Sequence, residues 1–302
     1  MHLTTEIAGL ELANPTILAA GILGISGLTL KRVAKAGAGA IVTKSLGLKP
    51  RSGYKNPTVV QVDGGLVNAM GLPNPGIEHF SQEIKETKGI ATPIIASIYA
   101  FSPKEFSIVA EKAIEIGADG LELNVSCPHA HKTGAEIGQD PRLVEAVVKE
   151  VKRIVEKPVF VKLTPNVADI ARLAKAAEMG GADAITAINT VKAMVIDVET
   201  ATPILHNKIG GLSGPAIKPI AVRCVYEIYS AISIPLIGCG GICNWRDAVE
   251  FLEAGASAVQ IGTAIATKGP RIFKQISEGI KSFLVKKKLR SVREIVGTAH
   301  KK

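Results

Sequence analysis

Aromatic residues are scarce: they make up 4% of the 302 residues, with a single tryptophan. A surface that stacks the successive bases of a single-stranded nucleic acid needs several exposed rings, so nucleic-acid binding is not expected. Cysteine is scarce too. Four thiols, at 127, 224, 239 and 243, do not make a disulfide scaffold in a chain of this length. Cys239 and Cys243 form a C-x3-C pair, but no second pair stands ready to complete a tetrahedral site, so no metal is expected. Uniformly apolar runs are missing. The uncharged stretch Leu12–Leu30 is broken by Asn14, Pro15, Gly21, Gly24 and Gly27, and Met1–Leu12 carries no apolar leader core. A reduced, cytoplasmic protein with no membrane partner is expected. There is no G-x-G-x-x-G after a strand, so a Rossmann nicotinamide site is not indicated.

Hydrophobic residues make up 47% of the chain and charged residues 21%, an ordinary globular balance. The net charge is +9, and Lys286–Lys302 holds seven Lys/Arg against one Glu. A basic C-terminal tail from about residue 286 is therefore expected to be a solvated terminus.

Glycine is abundant, and part of it is periodic. Four times a helical pattern runs into a Gly-Ala step and then a β-branched strand: Gly37-Ala38, Gly117-Ala118, Gly181-Ala182 and Gly255-Ala256. Each glycine is expected to stop a helix in a left-handed cap. Near-continuous apolar strands are expected at Thr16–Ala20, Ala40–Ser45, Ile94–Tyr99, Gly120–Val125, Val159–Leu163, Ala184–Asn189, Leu236–Gly240 and Ala258–Gly262. Amphipathic helical patterns include Pro103–Ile116, Arg142–Val155, Val167–Met179, Ala216–Ile232 and Asn244–Ala254. Strands buried on both faces make a parallel sheet. Eight such units in one uninterrupted chain predict an α/β fold, a (β/α)8 TIM barrel, as a single domain over residues 1–302. Long loops follow strand two (47–76), strand four and strand six (191–214), at the end of the barrel where active sites are built.

Polar residues gather at that rim. Strand two ends in Lys44-Ser45, strand four in Asn124-Val125-Ser126-Cys127-Pro128, and strand six in Asn189-Thr190, while strand five carries Lys162. A lysine inside an apolar strand is rare unless paired, so Lys44 and Lys162 are each expected to meet an anion or an electron-rich ring. Gly238-Cys239-Gly240-Gly241 and Gly262-Thr263 follow strands seven and eight, where bare backbone N–H groups can cradle a phosphate. Cys127 is the rim residue with an obvious proton-transfer role, because a thiol titrates within reach of neutral pH. His129 and His131 on the same loop read as exposed loop polarity, and Cys224 as core.

The segments Asn68-Ala69-Met70-Gly71-Leu72-Pro73-Asn74-Pro75-Gly76, Asn124-Val125-Ser126-Cys127-Pro128, Ala187-Ile188-Asn189-Thr190 and Gly210-Gly211-Leu212-Ser213-Gly214-Pro215-Ala216 resemble class 1 dihydroorotate dehydrogenases. The likeness runs from Asn14-Pro15 to Gly262-Thr263 with the motifs in family order. It implies a barrel with one FMN that oxidises dihydroorotate to orotate in pyrimidine biosynthesis. By the same resemblance Cys127 is the base that takes the C5 proton while a hydride leaves C6. Lys44, Asn68, Asn124, Asn189 and Thr190, with the Asn68–Leu72 stretch (Ala69, Met70, Gly71, Leu72), correspond to substrate contacts. Ala20, Gly21, Lys44, Ser45, Ser97, Asn124, Lys162 and Ile188 correspond to flavin-ring and ribityl positions. Gly214, Gly240, Gly241, Gly262 and Thr263 lie nearer the phosphate. Ser97 stands where many relatives carry asparagine, and Ala20 where many carry serine.

The loop His131-Lys132-Thr133-Gly134 with Gly138 and Asp140 is closer to the NAD-linked form of the family. That form implies a partner electron-transfer subunit carrying FAD and a 2Fe–2S cluster, around a homodimer core of a heterotetramer. Three other readings are weighed on the residues: a dihydropyrimidine dehydrogenase-like flavin barrel acting on uracil, a barrel that binds a phosphorylated metabolite without redox chemistry, and a non-enzymatic binding protein that works through its basic tail, against which the filled rim argues. Lys44 favours a substrate with a carboxylate.

Overall fold

The computed structural model describes residues 2–87, 89–126 and 137–301. Eight parallel strands close into a barrel: Thr16–Leu18, Ala40–Val42, Ile94–Ile98, Gly120–Asn124, Val159–Leu163, Ala184–Ala187, Leu236–Cys239 and Ala258–Ile261. Each pairs with its predecessor and its successor in sequence, and the eighth pairs with the first. The strands stop short of several expected ends because the backbone leaves the ladder there. Lys44 N–H, for example, bonds to the Gly24 carbonyl at 2.8 Å.

The Gly-Ala repeat is the hinge of each unit. Gly37, Gly117, Gly181 and Gly255 all have positive φ, between 93° and 121°, after a helix end. The Asp that follows two of these steps locks the next turn. Asp119 Oδ2 accepts from Ile94 N–H at 2.8 Å, and Asp183 Oδ2 from Val159 N–H at 2.7 Å. Helix starts carry their own caps: Ser102 before Pro103–Glu115, Asp140 before Pro141–Lys152, Asp169 before Ile170–Met179, and Asn244 in a capping box with Asp247 before Trp245–Glu253.

Two cores result. A large one lies between strands and helices, and includes Phe80, Phe106, Phe251 and Phe273. A smaller one fills the barrel around Ile17, Val42, Ile95, Phe160 and Ile237, and also takes in Ile7 and Leu12. Those last two residues belong to an antiparallel hairpin, Thr5–Ile7 with Leu10–Leu12, that closes the barrel at its N-terminal end. Function is therefore left to the opposite mouth.

At that mouth the loops after strands two and six join. Val59–Val62, Gly65–Asn68, Ile209–Ser213 and Val191–Met194 form one four-stranded antiparallel sheet, with Asn68 opposite Gly211. The basic C-terminal segment corrects an expectation. It does not trail in solvent: Val292 and Ile295 are buried, and His2 N–H bonds to the Arg290 carbonyl. His300 stacks on Tyr226 with centroids 3.8 Å apart. Each buried aliphatic side chain is worth about 1.5–3 kcal/mol, which offsets the repulsion among the lysines. Among the described residues no helix is long and apolar enough to cross a membrane.

Candidate active site

A cavity of about 710 Å³ opens between the C-terminal strand ends and the four-stranded sheet. It lies in the range of small-molecule sites, roughly 300–1,000 Å³. Of the residues singled out from the sequence, Ala20, Gly21, Lys44, Ser45, Asn68, Ala69, Met70, Gly71, Leu72, Ser97, Asn124, Lys162, Ile188, Asn189, Thr190, Gly214, Gly240, Gly241, Gly262 and Thr263 all line it. Cys127, His129 and His131 lie outside the described residues, and so does the His131–Gly134 stretch.

One wall is a chain of amides and hydroxyls. Ser97 and Ser45 hydroxyls meet at 2.9 Å, Asn124 Nδ2 donates to Ser45 Oγ at 3.2 Å, and Asn189 Nδ2 donates to Asn124 Oδ1 at 3.4 Å. Asn68 is held over the same space by donating Nδ2 to the Gly211 carbonyl. Lys44 projects from the end of strand two among these groups. Among the described residues no carboxylate pairs with it, and burial pushes its ammonium pKa down.

The floor is different. Strand register sets Thr186 and Asn124 beside Lys162, and Cys239 beside Gln260. Lys162 Nζ donates to Gln260 Oε1 at 2.7 Å and stands 3.7 Å from Glu122 Oε1. Burial opposes its charge, and the Glu122 carboxylate beside it acts the other way and favours the ammonium. The Cys239 thiol is itself pushed up by burial.

The far end is a glycine cradle. Gly214 has φ +104°, and a Cβ there would lie 2.7 Å from Gly65 Cα; at Gly241, with φ +75°, it would lie 2.8 Å from the Gly214 carbonyl oxygen. Only glycine fits either position. The backbone N–H groups of Gly241 and Thr263 bond to no described residue, while the Thr263 hydroxyl donates to Ser213 Oγ at 2.8 Å. Unpaired donors on a surface without side chains suit a phosphate. The site thus combines a free cation with amides, a balanced cation beneath them, and an anion cradle.

Residues 2–284 match the family model for dihydroorotate dehydrogenase. The chain belongs to the dihydroorotate dehydrogenase family. It is 54% identical over 297 residues to the dihydroorotate dehydrogenase B (NAD(+)) catalytic subunit of Methanosarcina acetivorans, covering 98% of this chain and 95% of that one. It is 53% identical over 301 residues to the protein of the same name from Pyrococcus furiosus, covering both chains entirely. A crystal structure of dihydroorotate dehydrogenase from Eimeria tenella, in complex with ferulenol, shares the fold, with a TM-score of 0.86. It is 20% identical, and the match covers 99% of this chain and 89% of that one. Dihydroorotate dehydrogenases are flavin-dependent oxidoreductases, and the donor set here fits a flavin.

Several residues of this dehydrogenase cavity were not singled out from the sequence. Gln260 lines its floor, and Glu122 lies beneath it. Both sit inside apolar strands, the same signal that marked the two lysines. Asn166 ties the loop after strand five to the mouth sheet: its Nδ2 donates to the Thr190 carbonyl and its Oδ1 accepts from Lys192 N–H.

Proposed function

We propose that this chain is the catalytic subunit of an NAD-linked dihydroorotate dehydrogenase, oxidising (S)-dihydroorotate to orotate in de novo pyrimidine biosynthesis. The observation that carries this is Lys44, a desolvated cation without a countercharge among the described residues, in a wall of carboxamides. A pyrimidine bearing a carboxylate meets both needs: amides pair with its amide edges and the ammonium takes its carboxylate.

FMN would lie between floor and cradle. Gly214, Gly240, Gly241, Gly262 and Thr263 would hold its phosphate, Lys162 its N1/O2 edge, and Ala20, Gly21, Ser45, Asn124 and Ile188 its ring and ribityl chain. When bound, FMN supplies the two-electron acceptor for the hydride that leaves C6. The Ser97 hydroxyl, tied to Ser45, acts through that serine rather than reaching the ring as an asparagine would.

Cys127, next after Ser126 in the sequence, takes the C5 proton as thiolate, leaving a C5=C6 double bond. Asn68, Asn124, Asn189 and Thr190 hold the pyrimidine plane, with Ala69, Met70, Gly71 and Leu72 closing over it. Electrons leave through a partner subunit carrying FAD and a 2Fe–2S cluster, two copies of this chain forming the core of the assembly.

The test is direct. Protein purified at physiological salt is expected to carry a flavin spectrum that dihydroorotate bleaches without air, with NAD reduced only when the partner subunit is added. A colourless protein that stays colourless on adding FMN would sink the proposal.

A further inference from the structure

Beneath the cavity lies a charge that the chemistry above does not use. Glu122 stands in the fourth barrel strand and is fully buried. Its Oε2 accepts from Thr186 Oγ1 at 3.0 Å and from Gln260 Nε2. Among the described residues its Oε1 has no hydrogen-bond partner, and it faces Lys162 Nζ at 3.7 Å. Gln260 is thus gripped at both ends, its oxygen on the lysine and its amide nitrogen on the glutamate. That polarity suits an ammonium on one side and a carboxylate on the other. A buried carboxylate costs stability unless paired, and the pairing here is with a lysine that opens onto the cavity floor.

We infer that Glu122 is a positioning residue for the redox step. Its carboxylate keeps the Lys162 ammonium charged and aimed at the cavity floor in both oxidation states, so that two-electron reduction of the bound flavin takes up one proton, not two. This rests on the proposal that FMN lies with its N1/O2 edge on Lys162.

The groups that face Lys162 are few. Glu122 comes from strand four, Thr186 from strand six, Cys239 from strand seven and Gln260 from strand eight, while Lys44, Arg51 and Lys192 are the other cations lining the cavity among the described residues. Thr186 and Gln260 do not titrate. Burial pushes the Cys239 thiol up, so at neutral pH it is uncharged. Glu122 is the countercharge that remains. With glutamine in its place, Lys162 would be a buried cation among amides, and burial favours the neutral amine. Negative charge arriving on the ring would then draw a proton back to Nζ. Two electrons would come with one proton to the ring and a second to the lysine.

The experiment is a redox titration of the holoenzyme's flavin spectrum against reference dyes, repeated from about pH 7 to 9. Each proton taken up changes the reduction equilibrium constant about tenfold per pH unit by linkage. The wild type is expected to change about tenfold per unit, and Glu122→Gln about a hundredfold. Glu122→Asp, which keeps the charge, and the double variant Glu122→Gln with Lys162→Met, which has no lysine to protonate, should both return to the wild-type slope. A Glu122→Gln holoenzyme with flavin bound and an unchanged slope overturns the inference and leaves the FMN proposal standing. A wild-type protein that binds no flavin overturns both. A hundredfold wild-type slope also overturns it, and that measurement needs no variant to fold.

Discussion

Lys44 and Lys162 are the same residue in the same kind of place, each a lone cation at the C-terminal end of an apolar barrel strand, yet the fold treats them in opposite ways. Lys162 is 6% exposed, and its charge is answered within the protein by Gln260 and Glu122. Lys44 lines the same cavity with no countercharge among the described residues, and burial alone acts on it, downward. A buried cation balanced by its own fold is part of the scaffold on which a ligand rests. One left unbalanced has its partner in the ligand, because desolvation without pairing is otherwise a standing cost.

Stability separates the two most widely. Lys162→Met leaves Glu122 buried and unpaired, which typically costs about 3–5 kcal/mol. Lys44→Met removes a desolvated charge that has no countercharge among the described residues, and should cost less than about 1 kcal/mol or stabilise the protein slightly. Denaturant unfolding of the flavin-free proteins measures both. Equal costs would break the comparison, because Lys44 would then have a structural partner of its own.

Catalysis gives the next largest effect. A lysine whose pKa is pushed down is itself a candidate base, so Lys44 competes in principle with Cys127 for the C5 proton. The contrast drawn above assigns Lys44 to binding, which leaves the proton to the thiol. Cys127→Ser should then keep its flavin but slow flavin reduction by dihydroorotate at least about a hundredfold at pH 7, the low end for loss of a general base. Rapid mixing under anaerobic conditions reads the rate. Bleaching at the wild-type rate would move the base to Lys44.

Much of this was legible in the sequence. The Gly-Ala repeat marked four helix-to-strand turns, and all four glycines have positive φ. Apolar strands fixed the barrel, and the residues at their ends named part of the cavity wall. Non-local pairing was not legible. Glu122 meets Thr186 and Gln260 across 64 and 138 residues, and Asn68 meets Gly211 across 143. Which face of a strand a residue takes, and what stands opposite, depends on register, which no local pattern carries. Nothing local in the two long loops after strands two and six showed that they share one sheet. In the C-terminal segment the count of lysines hid a weaker signal, Val292 and Ile295 three residues apart on one buried side.

Binding sharpens the contrast further. Lys44→Ala removes a charge-assisted contact worth about 1.5–3 kcal/mol, so dihydroorotate affinity should fall roughly ten- to a hundredfold. Uracil, which has no carboxylate, should lose much less. Titration of the flavin spectrum with each ligand gives both constants, and equal losses would return Lys44 to a general structural role.

The smallest effect is one of pH, and it follows from the sign of the Lys44 shift. The carboxylate of orotate binds the ammonium and not the amine. Burial lowers the pKa of Lys44 in the free protein, so its proton begins to leave at lower pH than from an ordinary lysine. A bound carboxylate stabilises the ammonium and raises that pKa again. Between the two values orotate affinity should fall as pH rises, by at most about tenfold per unit, and below the lower one Lys44 contributes no pH dependence. The fall should level off at the affinity of Lys44→Ala, whose own profile lacks this step. Lys44→Arg keeps its charge throughout and should lack it as well. Lys162 contributes nothing in this range, because Glu122 holds its charge whether or not orotate is bound. Persistence of the step in Lys44→Ala would show that another group binds the carboxylate, and the distinction between the two lysines would fall with it.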